Sequence, residues 1–153
     1  MDPYDDVSHV LADLLGTTAD AMADEIGGGW RHAPAPDSDE QPGSDDQRRS
    51  WFVSGEPLQV MVGVGHRDVC VAEPEIQWRG HIPVLVPATI LGTHALATIG
   101  AGGPLRDAVH EAQERRRATF RYCRYCRRLT APEHQFGDDI CQGCSAQFLS
   151  VTY

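Results

Sequence analysis

The sequence predicts an α+β protein, with a small antiparallel sheet, flanking helices and a C-terminal module built on four cysteines. Three observations predict this class: apolar residues at helical spacing near the N-terminus, short apolar stretches separated by turns in the middle, and two Cys-x2-Cys pairs near the end. With 153 residues, 41% of them apolar, the chain can bury one modest core and a small appendage.

An amphipathic helix is predicted for residues 1–26, followed by an acidic linker. The apolar residues of the helix recur every three or four positions, and they are Val7, Val10, Leu11, Leu14, Leu15, Met22 and Ile26. Three consecutive glycines at 27–29 should end the helix. Residues 27–50 are rich in Pro, Ser, Asp and Gly, a composition typical of a flexible linker.

Residues 51–120 are predicted to form an α+β domain. Short strands are expected at residues 51–53, 58–64, 69–72, 75–78 and 82–86. Because the turns between them are short, we expect an antiparallel meander that buries one face under a helix. Two helices should follow, one at residues 88–99 and one at residues 104–120, where Pro104 suits the first helical position.

The most specific motif is Cys-x2-Cys-x14-Cys-x2-Cys, in the segment 121–153. Its members are Cys123, Cys126, Cys141 and Cys144. Four thiolates at this spacing can surround one Zn²⁺ tetrahedrally, and a catalytic zinc would keep an open position. The motif therefore predicts one structural Zn²⁺ per chain, which should stabilise a segment too short for a hydrophobic core of its own. Cys70, the fifth cysteine, is expected to be a buried apolar side chain in a strand.

A Cys-x2-Cys knuckle, a connector and a second cysteine pair that opens a helix resemble the four-cysteine fingers of the treble-clef or zinc-ribbon type. Similar modules occur in DksA/TraR-like transcription regulators and in GATA-type fingers. The resemblance covers residues 121–153 and rests on the ligand spacing. It implies metal ligation by the four cysteines, and residues 1–120 resemble no family.

The net charge of −9 is distributed unevenly along the chain. Residues 1–50 contain twelve acidic side chains and three arginines, which gives −9, whereas residues 104–128 contain eight arginines and three acids, which gives +5. All thirteen basic residues are arginines. The chain therefore combines an acidic N-terminal part with a basic region that adjoins the first cysteine pair.

An arginine-rich surface is predicted where the last helix of the domain meets the first cysteine pair. The candidate nucleic-acid-binding or partner-binding residues are Arg115, Arg117, Arg121, Arg124, Arg127, Arg128, Tyr122 and Tyr125. Guanidinium groups attract phosphates, and tyrosine rings can stack on bases. Two other interpretations stay open. These arginines, with Arg116, can neutralise the zinc tetrathiolate or the acidic N-terminal segment, or they can form a solvated face.

No catalytic residue is predicted, because the chain has no nucleophile elbow, P-loop or dinucleotide-binding motif. Met1 is followed by acidic residues and not by a basic, apolar leader, and the metal-type cysteine spacing suits a reducing compartment, so we expect a cytoplasmic protein. The longest apolar stretch, residues 82–99, is interrupted by Pro83 and Pro87, so no membrane association is expected.

These features favour a non-enzymatic, zinc-binding regulatory protein that contacts nucleic acid or a transcription-associated partner through its zinc module. An alternative is an accessory or structural subunit that binds another protein, or a second copy of itself, with a purely structural zinc. A third alternative is a small hydrolase with a site at His66, Cys70 and His81.

Overall fold

The computed structural model describes residues 5–33, 49–96 and 103–150, and it confirms the predicted α+β class. The described helices are α1 (Ser8–Leu15), α2 (Ala19–Ile26), α3 (Pro104–Arg117) and α4 (Gln142–Leu149). The main sheet consists of β1 (Arg31–His32), β2 (Ser50–Ser54), β3 (Val60–Val64), β4 (Asp68–Arg79) and β5 (Ile82–Ala95). Not one of the described helices has the length and apolar character that a membrane crossing needs.

The N-terminal segment forms two short helices where the sequence predicted one. Gly16 ends α1 in a left-handed conformation, with φ of 70°, and the side chain of Thr18 caps α2 by accepting a hydrogen bond from the N–H of Ala21 (3.2 Å). Glycine and threonine are common end and start residues of helices, and here they interrupt a continuous apolar pattern. Residues 1–4 of the predicted helix lie outside the described residues.

The first residues of the predicted linker belong to the fold. The indole of Trp30 is fully buried and donates a hydrogen bond to the carbonyl of Gly27 (2.9 Å), while the carbonyl of Trp30 accepts one from the N–H of Val7 (2.8 Å). Strand β1 follows at once and pairs with β2. The prediction of a flexible segment is therefore wrong for residues 27–33, and residues 34–48 lie outside the described residues.

The five strands lie in chain order and each pairs antiparallel with the next, as the predicted meander requires. The predicted helix at residues 88–99 is wrong as far as it is described, because β5 continues to Ala95. Thr89, Ile90 and Thr93 are β-branched and lie opposite β4, and this cross-strand pairing outweighs the weak helix propensity of the segment. Residues 97–99 lie outside the described residues.

One face of the sheet carries the main hydrophobic core, which α1, α2 and α3 cover. Its strand members are Phe52, Val60, Val62, Val64, Val69 and Val71, and its helix members include Leu11, Leu15, Met22, Ile26, Leu105, Ala108, Val109 and Ala112. The four residues from α3 are the stripe that helical spacing gives, and they place this helix along the sheet. The orientation of α3 matters because its C-terminal end leads directly into the cysteine-rich module.

The other face of the sheet holds a smaller apolar cluster of Val53, Met61 and Ala72. The ring of Trp51 lies across its cross-strand neighbour Gly63, and a Cβ added to Gly63 would stand 2.8 Å from the ring. The absence of a side chain at this position is therefore what allows the indole to lie against the strand and to flank the cluster.

Substitution of two leucines on α1 tests the placement of the core. Leu11 is 0% exposed and Leu14 is 43% exposed, so the same change to Ala removes a buried side chain in one case and an exposed one in the other. We expect Leu11→Ala to lower the free energy of unfolding by about 3 kcal/mol and Leu14→Ala by about 0.5 kcal/mol or less. Urea denaturation of both variants measures the difference, and equal effects would contradict the placement of α1.

Candidate metal centre

The C-terminal module consists of two short hairpins and a helix. Strand β6 (Arg121–Tyr122) pairs with β7 (Leu129–Thr130), and β8 (Gln135–Phe136) pairs with β9 (Ile140–Cys141). The first hairpin encloses the knuckle that carries the first cysteine pair, and the second leads straight into α4, which carries the last cysteine. Knuckle, hairpin and helix follow one another in the order that the treble-clef resemblance implies.

The four predicted ligands converge on one point. Their sulfur atoms all lie within 4.8 Å of one another, and the Sγ atoms of Cys126 and Cys141 are 3.9 Å apart. A tetrahedral ZnS4 centre with Zn–S bonds of about 2.3 Å has sulfur–sulfur separations of about 3.8 Å. The donor set and its spacing therefore fit one zinc ion, and four protein ligands make the site a structural one.

The surroundings shift the pKa values of Cys123 and Cys144 in opposite directions. At Cys123 burial opposes ionisation, but the N–H groups of Cys126, Cys141 and Tyr125 outweigh it and lower the pKa of the thiol to about 6. At Cys144 burial and the neighbouring sulfurs raise the pKa to about 12. The protein by itself thus ionises only part of the cluster, and a bound cation supplies the positive charge that lets all four sulfurs be thiolates.

The apolar interior of the module is small. Within residues 121–150, the only buried member of the module's own apolar cluster other than cysteine is Ile140, which packs with Cys123 and Cys144. A segment of this size cannot bury enough surface to fold by hydrophobic burial alone, whereas zinc binding contributes on the order of 10 kcal/mol in zinc-finger peptides. The metal site therefore takes the place of a core in this part of the chain.

A buried ion pair joins the module to the domain. Arg116, 8% exposed on the last turn of α3, donates through Nη2 to Oε1 of Glu133 (2.5 Å) and through Nε to the carbonyl of Leu58 (3.2 Å). Its guanidinium also lies over the ring of Phe120, 5.5 Å from the centroid. The side chain of Arg116 thus connects α3, the β2–β3 turn and the zinc module, and we call this connection the joint. Its guanidinium is therefore not a free cation.

The other arginines of the predicted cluster fall into two groups, those that form ion pairs with described residues and those that do not. Arg115 forms ion pairs with Glu73 and, at 3.7 Å, with Glu111, and Arg124 lies 3.8 Å from Asp139. No acidic side chain among residues 5–33, 49–96 and 103–150 forms an ion pair with the other four, which are Arg117, Arg121, Arg127 and Arg128. Part of the cluster is therefore neutralised by acidic side chains of β4, α3 and the zinc module, and not by the described part of the N-terminal segment.

The two predicted tyrosines lie on the surface of the module. Tyr122 is 67% exposed, and Tyr125 stacks on Phe148 of α4, with ring centroids 4.9 Å apart and an angle of 20° between the planes. The guanidinium of Arg124 lies over the Tyr125 ring at 5.1 Å. Sequence reasoning missed Phe148 because its partner is brought in by the knuckle and not by sequence proximity.

The alternative hydrolase site at His66, Cys70 and His81 is wrong. His66 lies in the β3–β4 turn and His81 lies in the β4–β5 turn, so the two histidines are at opposite ends of β4. A strand of twelve residues spans roughly 40 Å. Cys70 is buried in β4, and burial raises the pKa of its thiol, as expected of an unreactive apolar side chain.

Comparison of the chain with protein-family models, with curated proteins and with solved structures finds no match. The four-cysteine site is thus supported by its own geometry, and the resemblance to DksA/TraR-like or GATA-type fingers stays at the level of ligand spacing and element order.

Replacement of one ligand tests the metal centre. We expect about one zinc ion per chain in the wild-type protein and loss of tight binding in Cys144→Ser, because three thiolates cannot complete the tetrahedron. Elemental analysis after desalting measures the stoichiometry, and cobalt substitution reports tetrahedral thiolate ligation by visible absorption. Cys70→Ser is the matched control and should keep the metal. Retention of stoichiometric zinc in Cys144→Ser would contradict the assigned ligand set.

Removal of the buried arginine tests the joint. Arg116→Met leaves the carboxylate of Glu133 buried without its cation, so we expect unfolding to become easier by about 3 kcal/mol. Arg117→Met, an exposed change on the same helix turn, should have a small effect. The double variant Arg116→Met with Glu133→Gln should recover part of the stability in urea titrations of the zinc-loaded protein. Equal effects of the two single changes would show that Arg116 is not the joint.

Proposed function

We propose that this chain is a non-enzymatic, zinc-stabilised regulatory protein of the cytoplasm that contacts nucleic acid through one face of its zinc module. We call this the arginine face and define it by Arg117, Arg121, Arg127 and Arg128 together with Tyr122 and Tyr125. The observation that carries the proposal is the set of four exposed guanidinium groups without acidic partners among the described residues, beside exposed aromatic rings. Phosphates attract the guanidinium groups, and a base can stack on the exposed ring of Tyr122, whereas the ring of Tyr125 already has Phe148 and Arg124 against it.

The backbone of Arg127 supports a role for its side chain. Arg127 has φ of 61°, in the left-handed region, where its N–H donates to the carbonyl of Cys123 (2.9 Å) and closes the knuckle. A non-glycine residue in this region costs about 1 kcal/mol that glycine would avoid. An arginine therefore occupies a position where glycine would be less strained, and this local cost supports a binding role for its guanidinium.

Arg121 has a second function in addition to its charge. Its guanidinium donates to the carbonyls of Ala118 and Phe120, both at 2.9 Å, at the C-terminal end of α3. These bonds fix the side chain against the C-terminal end of α3 and satisfy the carbonyl of its C-cap residue Ala118. The arginine face is therefore partly preorganised, which lowers the entropy cost of binding a ligand.

The zinc centre and the overall charge limit the affinity that the arginine face can have. A zinc ion with four thiolates carries a net charge of −2, and the whole chain carries −9. Nearby guanidinium groups offset the first charge, and long-range repulsion from the second opposes any polyanion at low salt. We therefore expect micromolar binding that depends on the local cluster and not on a large basic surface.

A second candidate function is attachment to a protein partner, as an accessory or structural subunit or in a transcription-associated complex. The observation that favours it is an exposed apolar group on α4, Phe148 at 54% and Leu149 at 43% exposure, next to Tyr125. Aromatic and arginine side chains are enriched at protein interfaces as well as on nucleic-acid-binding surfaces. Failure to bind nucleic acid, combined with capture of a specific protein by the surface around Tyr125, Phe148 and Leu149, would favour this function.

The Arg127→Gly variant tests the leading function while the fold is kept. It removes one guanidinium and relieves the left-handed strain, so thermal stability should stay equal or rise while the affinity for nucleic acid falls. Fluorescence anisotropy with a labelled oligonucleotide at several salt concentrations measures both affinity and salt slope. We expect the slope of log K against log salt to fall by about 0.7 to 0.9 for each phosphate that the variant no longer neutralises.

Arg106→Gln is the matched control for this experiment. Arg106 is an exposed arginine in the first turn of α3, far along the helix from the zinc module, so its removal changes the net charge by the same amount without touching the arginine face. Equal weakening by Arg127→Gly and Arg106→Gln would mean nonspecific charge attraction. Absence of binding by the wild type at every salt concentration of the series would refute a nucleic-acid partner.

A further inference from the structure

The β4–β5 hairpin extends beyond the rest of the sheet. Strand β3 pairs with β4 only as far as Ala72, whereas β4 and β5 remain paired with each other to Arg79 and Ile82. We call residues 74–87 the arm. Among the described residues no strand pairs with the β4 side of the arm, and its Trp78 is 53% exposed. A two-stranded hairpin is marginally stable in water by itself, so an open edge and an exposed tryptophan indicate a binding surface.

The type of turn at the tip of the arm determines which backbone N–H and C=O groups point to this open edge. Gly80 and His81 form a two-residue loop, and Gly80 has φ of 63°, which suits the first position of a type II′ turn. The residues that flank such a loop, Arg79 and Ile82, exchange both backbone hydrogen bonds, and bonded and non-bonded pairs alternate from there. Ile76 and Trp78 therefore direct their N–H and C=O groups away from β5 and onto the open edge.

Prolines close the opposite edge of the arm. Pro83 is paired with Trp78 and Pro87 with Pro74, at positions without hydrogen bonds between the two strands. The outer edge of β5 consequently lacks an N–H donor at residues 83 and 87, and proline at an edge opposes strand addition. The β4 edge has a single proline, Pro74, at the base of the arm. The arm thus accepts another strand on one side only.

Space for a further strand exists on that side. A cavity of about 630 Å³ borders Ile76 of the arm and the β2–β3 turn at Pro57 and Leu58, and the zinc module forms the rest of its wall, including Arg128 and the ligands Cys126, Cys141 and Cys144. Neighbouring strands in a sheet are about 4.8 Å apart, so an added strand would run along the edge of β4 and place apolar side chains toward this cavity.

The sequence of the edge is complementary to itself. We propose that β4 of a second copy of this chain adds to the edge antiparallel, with the two-fold axis at Gln77. In this register Ile76 lies opposite Trp78 of the partner subunit, and Glu75 lies opposite Arg79 of the partner subunit. Each Ile76–Trp78 pair exchanges two backbone hydrogen bonds, and each Glu75–Arg79 pair joins opposite charges. The four strands then form one continuous sheet across an isologous dimer interface.

The charges favour this register over those with the axis at either charged residue. A shift of the axis by two residues to Glu75 would place two glutamates face to face, and a shift to Arg79 would place two arginines face to face. Like charges directly opposite are destabilising. An axis at Ile76 or at Trp78 would keep the same faces and the same bonded positions but would break the Glu75–Arg79 pairs, and the cysteine experiment below distinguishes these registers. A second copy fits the edge better than an arbitrary strand for this reason.

A charge exchange tests the dimer. Arg79→Glu alone and Glu75→Arg alone each place like charges opposite one another, so we expect the dissociation constant to rise by about tenfold or more. The double variant Glu75→Arg with Arg79→Glu restores opposite charges in the same register and should recover the dimer. Sedimentation velocity over a concentration series of the zinc-loaded protein measures the three constants. A monomeric wild type, or a dimer indifferent to both single changes, would overturn the proposal.

A cysteine at the axis provides an independent readout. Gln77→Cys would face its own copy in a non-bonded pair with Cα atoms about 4.5 Å apart, which permits a disulfide under mild oxidation. Glu75→Cys is the control, since two copies of residue 75 would be four residues out of register and too far apart to cross-link. Equal cross-linking of both variants would refute the register. Arg128 of the arginine face borders the cavity beside the arm, but none of the substituted residues 75, 77 and 79 belongs to that face, so loss of the dimer and loss of nucleic-acid binding are measured independently.

Discussion

The zinc–thiolate centre determines the form of the last part of this chain. Four sulfurs within 4.8 Å of one another bring a knuckle, a hairpin and a short helix to one point, and these elements share almost no apolar interior. Where a larger domain relies on many weak contacts, this module relies on one multivalent contact that forms or fails as a unit. Everything displayed on its surface, including the stacked rings of Tyr125 and Phe148, depends on that centre.

Helix α3 connects the metal centre to the sheet. Along most of its length Leu105, Val109 and Ala112 pack on the main core, and at its last turn Arg116 reaches both Glu133 of the module and the backbone of the β2–β3 turn. The position of the module relative to the sheet is therefore set by a helix with a hydrophobic stripe at one end and a buried ion pair at the other. Loss of one partner of such a pair leaves an uncompensated buried charge, which is why the connection depends on both Arg116 and Glu133.

Much of the fold could be predicted from local patterns. The spacing of the cysteines gave the metal ligands, the stripe on α3 gave its buried side, and the short turns gave an antiparallel meander. Each of these signals is read from neighbouring residues or from residue types with few alternative roles. They also gave the α+β class that the structure confirms.

The parts that sequence reasoning missed depend on tertiary contacts. Residues 88–95 have no decisive propensity, and only pairing with β4 makes them a strand. Arg116 and Arg117 are indistinguishable in sequence, yet the first is buried against Glu133 and the second is exposed. The arginines that are buried in ion pairs can therefore be told from the exposed ones only when the acidic groups that the fold brings next to them are known. The division of the chain into four segments, and the use of the arginine face, stay predictions.

The contact between Trp51 and Gly63 restricts how this sheet can vary. Any side chain at residue 63 would meet the indole at 2.8 Å and force it away from Met61 and Val53, which it helps to shield. A smaller residue at 51 would tolerate a side chain at 63, but it would leave that cluster in contact with water. In related chains we therefore expect residues 51 and 63 to be substituted together or to stay unchanged together.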